Sequence, residues 1–204
     1  MPLLNDSRSQ PNRNIERGRS TRIHLVAVAT ELFAELGFEN TPVELLLERA
    51  GVSKGSLYHH FAHKEALFEA VLDEVEARVA RATVDAARGI ENPVEALRAG
   101  CRAWLRLAGD PIVRQVVLLD APAVLGWEKW REIDDRHAFG ILKQAVEATP
   151  AGKQEGSSAE VLAHVLLASI IEIAMLIARS KTPRKALKTG EQALDRVFAG
   201  VLAT

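Results

Sequence analysis

The chain has 204 residues, of which 48% are hydrophobic; 26 basic and 27 acidic side chains leave a net charge of −1. That length and apolar content support one small domain and one larger one with ample core, while the near-neutral balance excludes a generic polyanion binder. A single cysteine, Cys101, excludes a disulfide within the chain and fits a reducing compartment, and no uncharged apolar run opens the sequence as a signal peptide would; a cytoplasmic location is expected.

Residues 1–19 are polar, with Pro2 and Pro11, and cannot bury enough apolar surface to order themselves. Arg8, Arg13, Arg17, Arg19 and Arg22 face a single Glu16 across this region. Two readings stand: a solvated basic tail, or an arm that follows the minor groove or backbone of DNA, with Arg19 and Arg22 best placed. An amphipathic helix follows over residues 20–36, with Val26, Ala29, Leu32, Phe33 and Leu36 at helical spacing and Ser20 or Thr21 as its cap.

The stretch from Thr41 to Lys64, TPVELLLERAGVSKGSLYHHFAHK, organises the rest. Thr41 is expected to cap a helix, with Pro42 at its first position and Glu44 completing a capping box. Val43, Leu46, Leu47 and Ala50 form its apolar stripe, and Gly51 supplies a left-handed stop. Ser53 then caps a second short helix starting at Lys54. Leu57 and Phe61, four apart, point inward; Tyr58 and His59 point outward. The free N–H groups of a helix start attract anions, and Lys54, Ser56, Tyr58, His59 and Lys64 add donors suited to phosphates and base edges. Two short helices with the second presented outward follow the helix-turn-helix plan.

The helix RIHLVAVATELFAELGF followed by TPVELLLERAGVSKGSLYHHFAHKEALFEAVL resembles the DNA-binding domain of the tetracycline-repressor (TetR) family. The resemblance rests on Leu32-Phe33, Gly37, Thr41, Ala50-Gly51-Val52-Ser53-Lys54-Gly55, Leu57-Tyr58, His60-Phe61 and Lys64-Glu65. The chain departs from the pattern at Pro42, where a hydroxyl residue is usual, at Leu47, where a small residue is usual, and at His63, where Ser, Asp or Asn would cap the next helix. The set expected to contact DNA is Arg22, Thr41, Ser53, Lys54, Gly55, Ser56, Tyr58, His59 and Lys64.

A fourth helix is expected from near His63 to about Arg88, with Leu67, Val71, Leu72, Val75 and Val79 as its stripe, long enough to link head to body. Asn92-Pro93, Asp110-Pro111 and Thr182-Pro183 repeat a cap-then-proline start. They predict helices from Pro93 to Leu107, with Glu95 completing a capping box, from Pro111 to just before Pro122, and from Pro183 onward. Another helix is expected from Gly126 or Trp127 to Glu147, and a loop over 149–158. Nothing predicts a strand longer than a few residues.

The helix from Val161 to Ala178 is apolar over most of its circumference, with Glu160, His164, Glu172 and Arg179 confined to one narrow arc. It reads as a buried helix rather than a membrane span, and its wide apolar arc needs cover from its own core and from a second surface. The last helix carries Leu187, Gly190, Leu194, Val197 and Val201 in one stripe, with Ala193 and Gly200 small enough for close approach. Two such helices per chain can build an intermolecular four-helix bundle, so a homodimer through the last two helices is expected; the resemblance implies the same arrangement.

Cys101, Trp104, Trp127, Trp130, His137, Phe139 and Met175 are the candidate lining of a small-molecule pocket, with Arg136 as a further polar contact; for the tryptophans the alternative is ordinary core. Glu172 reads as solvent-facing rather than ligand-anchoring, and Cys101 as an inert buried thiol rather than a sensor. His59, His60 and His63 straddle a helix end and lack a fourth ligand, so no metal is expected, nor any cofactor. No phosphate-binding loop, nucleophile elbow or zinc-ligand spacing marks an enzyme.

The expected fold is therefore all-α: a flexible basic arm (1–19), a three-helix helix-turn-helix head (20–66), and a helical ligand-binding and dimerisation domain (67–204). The expected function is a transcriptional regulator, most simply a repressor released from double-stranded operator DNA by an unidentified small-molecule effector. The alternative is a helical dimer that binds small molecules and no longer reads DNA.

Overall fold

The computed structural model describes residues 10–156 and 158–202. Among these the chain is helical throughout and has no strand. The first helix, α1 (Gln10–Leu36), begins well before the expected start at residue 20. Pro11 in its first turn costs nothing there, and extending an existing helix is cheap once a packed stretch has nucleated it. The expected arm is thus helical from Gln10 onward; Arg8 and the rest of residues 1–9 lie outside the described residues.

The short helices α2 (Val43–Ala50) and α3 (Lys54–His60) complete the head. Gly51 closes α2 in the left-handed region at φ 64°, as its position after the last apolar residue predicted. Leu25, Ala29, Leu32 and Phe33 of α1 meet Leu46 of α2 and Leu57 and Phe61 at α3, all buried. Phe33, Phe38 and Phe68 form a triangle of rings with centroids 5.6, 5.3 and 5.1 Å apart. Phe68 belongs to α4 (Lys64–Ala87), so this triangle joins the head to the helix that runs on into the body. Edge-to-face ring pairs add about 1 kcal/mol each beyond burial.

The body begins with α5 (Pro93–Leu107), which packs along α4. Asn92 caps it through both Val94 and Glu95 N–H groups, at 3.0 and 3.1 Å, while the Glu95 carboxylate turns to Arg98 instead of closing the box. The next helix does not stop before Pro122. A π-helical segment, Val113–Asp120, runs straight into α6 (Ala121–Val124), with Ala121 N–H donating to Val116 O. That wider turn relieves the clash an α-turn would impose between the Pro122 ring and the carbonyl four residues back. A second π-helical segment, Asp135–Phe139, interrupts α7 (Trp127–Asp134) and α8 (Gly140–Ala148). Within the expected loop, Thr149 Oγ1 accepts from Gly152 N–H at 3.1 Å and caps a single turn, α9 (Pro150–Lys153).

The body closes with α10 (Ala159–Arg179) and α11 (Pro183–Val201), which pack on each other. Gly190 is required at their contact: a Cβ there would lie 2.6 Å from Ile173 Cγ2. Ala193 and Gly200, expected to permit close approach, lie on the open side of α11. By length and composition α10 could cross a membrane, but its Leu166, Ile170, Ala174 and Ile177 are buried in the body, and it packs against α5, α8 and α11.

Candidate nucleic-acid interface and effector cavity

The local chemistry of α3 sets the outward face of the head. Ser53 Oγ accepts from Ser56 N–H at 3.2 Å and starts the helix. Leu57 and Phe61 anchor it in the core, which turns Lys54, Gly55, Tyr58 and His59 to solvent, with Ser56 half-buried. Tyr58 is 41% exposed, unusual for an aromatic residue with core on the opposite face of the same helix. The Arg22 guanidinium lies 5.0 Å from the Phe61 ring centroid, which holds this exposed cation of α1 beside the end of α3. His60 lies under the helix beside α1, where burial, His59 and Arg22 lower its pKa. Eight of the nine candidates thus lie on α3 or close to it and reach solvent wholly or in part.

Two candidates do other work. Thr41 is fully buried, at 0% exposure, and its hydroxyl donates to Gly37 O at 2.7 Å. Pro42, not Thr41, occupies the cap position of α2, and no side chain caps that helix. The capping-box reading is therefore corrected: Thr41 ties the end of α1 to the start of α2 and cannot touch DNA. Lys64 is drawn inward, donating to Phe38 O and lying 4.0 Å from the Phe38 ring centroid. Burial lowers its pKa against the pull of Glu39, Glu65 and Asp120; it is a brace between head and α4 rather than a free phosphate donor. His63 takes the capping place normally held by a small polar residue, its Nδ1 accepting from Ala66 N–H at 3.1 Å. His24, which the sequence reading passed over, bonds Ala50 O at 3.1 Å and fixes the end of α2 on α1.

In the body, a cavity of about 430 Å³ lies between α4, α5, α8 and α10. Its walls are mostly alanines and aliphatic residues, with Cys101 and Trp104 among them, so two of the seven predicted lining residues are placed there. The other five are not. Trp130 is buried in the core and Trp127 stands 58% exposed beside it, their rings 4.9 Å apart. His137 bonds Asp73 at 2.9 Å and Arg136 bonds the same carboxylate at 3.1 Å, tying the π-helical segment to α4. Phe139 stacks on His164 at 4.2 Å, and Met175 is core. Spacing could identify these side chains as aromatic or polar helix residues but not which wall they faced. Glu172 is exposed on α10, as expected. Burial pushes the Cys101 thiol up to about 12, the setting of an inert cysteine.

Glu76 is the cavity residue the sequence reading missed. It is 1% exposed, and its Oε1 has no hydrogen-bond partner among the described residues. Burial raises its pKa well above the carboxylate range, Asp134 and Asp73 raise it further, and Arg131 opposes them. Asp134, itself buried, is raised to about 6 by burial despite Arg131 Nη1 at 2.8 Å. The signal was present: Glu76 stands four residues after Leu72 and three before Val79, inside the buried stripe of α4.

A linkage joins head and body away from this cavity. Phe38 N–H donates to Asp120 Oδ2 at 2.7 Å, and Gln115 Nε2 donates to Oδ1 of the same carboxylate at 2.8 Å. Burial raises the Asp120 pKa against these two bonds. The π-helical segment thereby grips the turn between α1 and α2.

A small three-helix head presenting one short helix outward, joined by a long helix to a helical body with an apolar cavity, has the layout of a helix-turn-helix regulator. Comparison with known proteins agrees. Residues 25–71 match the family described as bacterial regulatory proteins, tetR family, and residues 94–201 match the tetracyclin repressor-like C-terminal domain. The chain belongs to the TetR family, whose members are transcriptional regulators and not enzymes.

Among curated relatives, the regulator UidR of Escherichia coli K12 is 39% identical over 62 residues, 30% of this chain and 32% of UidR. The A-factor receptor protein of Streptomyces griseus is 44% identical over 50 residues, 24% of this chain and 18% of that protein. The chain thus matches about a third or less of the length of these relatives. A TetR-family regulator from Pectobacterium atrosepticum superimposes with a TM-score of 0.81 at 28% identity, over 93% of this chain and 97% of the other. FadR of Bacillus subtilis, solved with stearoyl-CoA, has a TM-score of 0.71 at 19% identity, over 87% and 98%, a likeness of fold.

Proposed function

We propose that this protein is a homodimeric, cytoplasmic repressor that reads a palindromic operator with α3 and releases it when a small molecule enters the body. The observation that carries the reading is the exposure of Lys54, Tyr58 and His59 on a helix whose opposite face is locked into the head core. Lys54 and Tyr58 offer donors to phosphates, and His59 faces the base edges of a major groove. Arg22, held beside Phe61, extends the basic surface. The overall charge of −1 is no obstacle, because affinity follows the local cations that neutralise phosphates.

The effector side of the reading rests on α4. Its first turns pack with Phe33 and Phe38 in the head, and residues 76 to 87 wall the cavity. A molecule seated between α4 and α5 bears on the same helix that carries the head. It then favours a dimer whose two readers no longer match successive major grooves, provided it binds that state more tightly. Dimerisation is assigned to α10 and α11: Val161, Val165 and Leu176 of α10 are exposed on the single chain, Leu176 by 62%.

The test is fluorescence anisotropy on the chain's own upstream DNA at physiological salt. Replacing Tyr58→Ala or Lys54→Ala should weaken binding by about tenfold each, the loss expected for one or two charge-assisted phosphate bonds. The dimer measured by sedimentation should be unchanged. Wild-type affinity in both variants would remove α3 as the reader, and the helical dimer without DNA binding would become the better description.

A further inference from the structure

We propose that the effector is an apolar molecule bearing one basic nitrogen, anchored in the cavity by the buried carboxyl of Glu76. This deepens the assignment of the cavity as the effector site and rests on it. Three observations converge. First, among the residues lining the cavity Glu76 is the one charged type; the rest are aliphatic, aromatic, small or uncharged polar side chains such as Thr83 and Gln144. An anionic ligand would meet no lysine, arginine or histidine there and would pay its full desolvation unrewarded. Second, the Glu76 carboxyl is buried with an oxygen that nothing in the described chain satisfies. Buried polar groups in folded proteins are paired almost without exception, so a ligand that supplies a partner to this carboxyl gains a bond. Third, Asp134 and Asp73 add negative charge near Glu76, Arg131 opposes them, Arg136 and His137 bond Asp73, and no cation lines the cavity itself. The Glu76 carboxylate, unopposed by any cation in the lining, therefore favours a cationic guest over a neutral hydroxyl.

The volume, about 430 Å³, limits the guest to a small molecule and leaves no room for a nucleotide-bearing thioester. Where the Glu76 carboxyl carries a proton, an entering neutral amine takes it and becomes the ammonium partner; where the carboxyl is ionised, an entering ammonium pairs with it directly. Either path ends in the same buried ammonium–carboxylate pair. The alanines Ala80, Ala96 and Ala145, with Gly100, leave the remaining space to the hydrocarbon part of the guest.

The experiment is calorimetric titration of the full chain, without DNA, by three matched probes: phenylbutylamine, phenylbutanol and phenylbutyrate. The amine should bind at least about tenfold more tightly than the alcohol, the ratio that one charge-assisted hydrogen bond supports, and the carboxylate should be weakest. In Glu76→Gln the preference for the amine should collapse while alcohol binding is kept, which also shows that the variant folds. The ranking in the wild type stands as a test even if the variant does not fold. Equal binding of amine and alcohol, or tight binding of phenylbutyrate, overturns the amine assignment and leaves the cavity as an effector site of other chemistry. Failure of all three probes to bind overturns the effector reading of the cavity as well, without touching the DNA-binding assignment.

Discussion

The outward face of α3 is settled by a few side chains. Ser53 accepts from Ser56 N–H, Leu57 and Phe61 hold the inner side, and Lys54, Tyr58 and His59 are left facing solvent. Thr41 and Lys64 show how the same composition is spent otherwise: one hydroxyl and one ammonium that suit DNA instead satisfy backbone carbonyls at the joints of the head. Asp134 gives a pH signature at this scale. Its pKa is raised from 3.8 to about 6, chiefly by burial. The folded state therefore keeps a proton over that window where the unfolded chain has already lost it. Stability from this residue is highest at low pH and falls as pH rises through the window. Relative to wild type, Asp134→Asn should gain on the order of 2 kcal/mol between pH 4 and pH 7. Urea unfolding at a series of pH values checks this; a parallel pair of profiles would show that Asp134 is not protonated in the folded protein. Because Asp134 acts on Glu76, the Glu76→Gln variant should alter the same profile.

At the scale of elements, the starts of α5 and α11 were legible because Asn92-Pro93 and Thr182-Pro183 combine a preorganised first turn with a start signal. The π-helical segments were not legible. Their widened turns depend on how the body packs, and the sequence around Pro122 reads equally as a stop. The cavity was poorly legible for a related reason: it is built by small residues on four helices, and an absence of bulk leaves no periodic mark. Tryptophans drew the reading toward Trp127 and Trp130, which pack on each other instead. By contrast, the excess apolar arc of α10 was visible in the sequence, and Val161, Val165 and Leu176 remain uncovered on the single chain. A charge at Leu176 (Leu176→Glu) should dissociate the dimer, shifting the sedimentation midpoint by about tenfold or more in concentration. Unchanged association would move the interface away from α10.

For the whole molecule, head and body meet at the ring triangle that brings Phe68 of α4 against Phe33 and Phe38, and at the Asp120 grip on the turn after α1. The cavity touches the far half of α4. On the proposed reading, a change in its occupancy bears on a helix that carries the head at its other end. In that reading, the glycine-capped turns, the ring triangle and the apolar face of α10 serve two readers held at a spacing that a ligand can change. The most direct test is selection of bound sequences from a random double-stranded DNA library by the purified full chain. Enrichment of an inverted repeat with half-sites about one helical turn or a small multiple apart, lost on replacing Tyr58 by alanine, is the predicted result. No enriched sequence, or a single unrepeated site gripped by one chain, would contradict it.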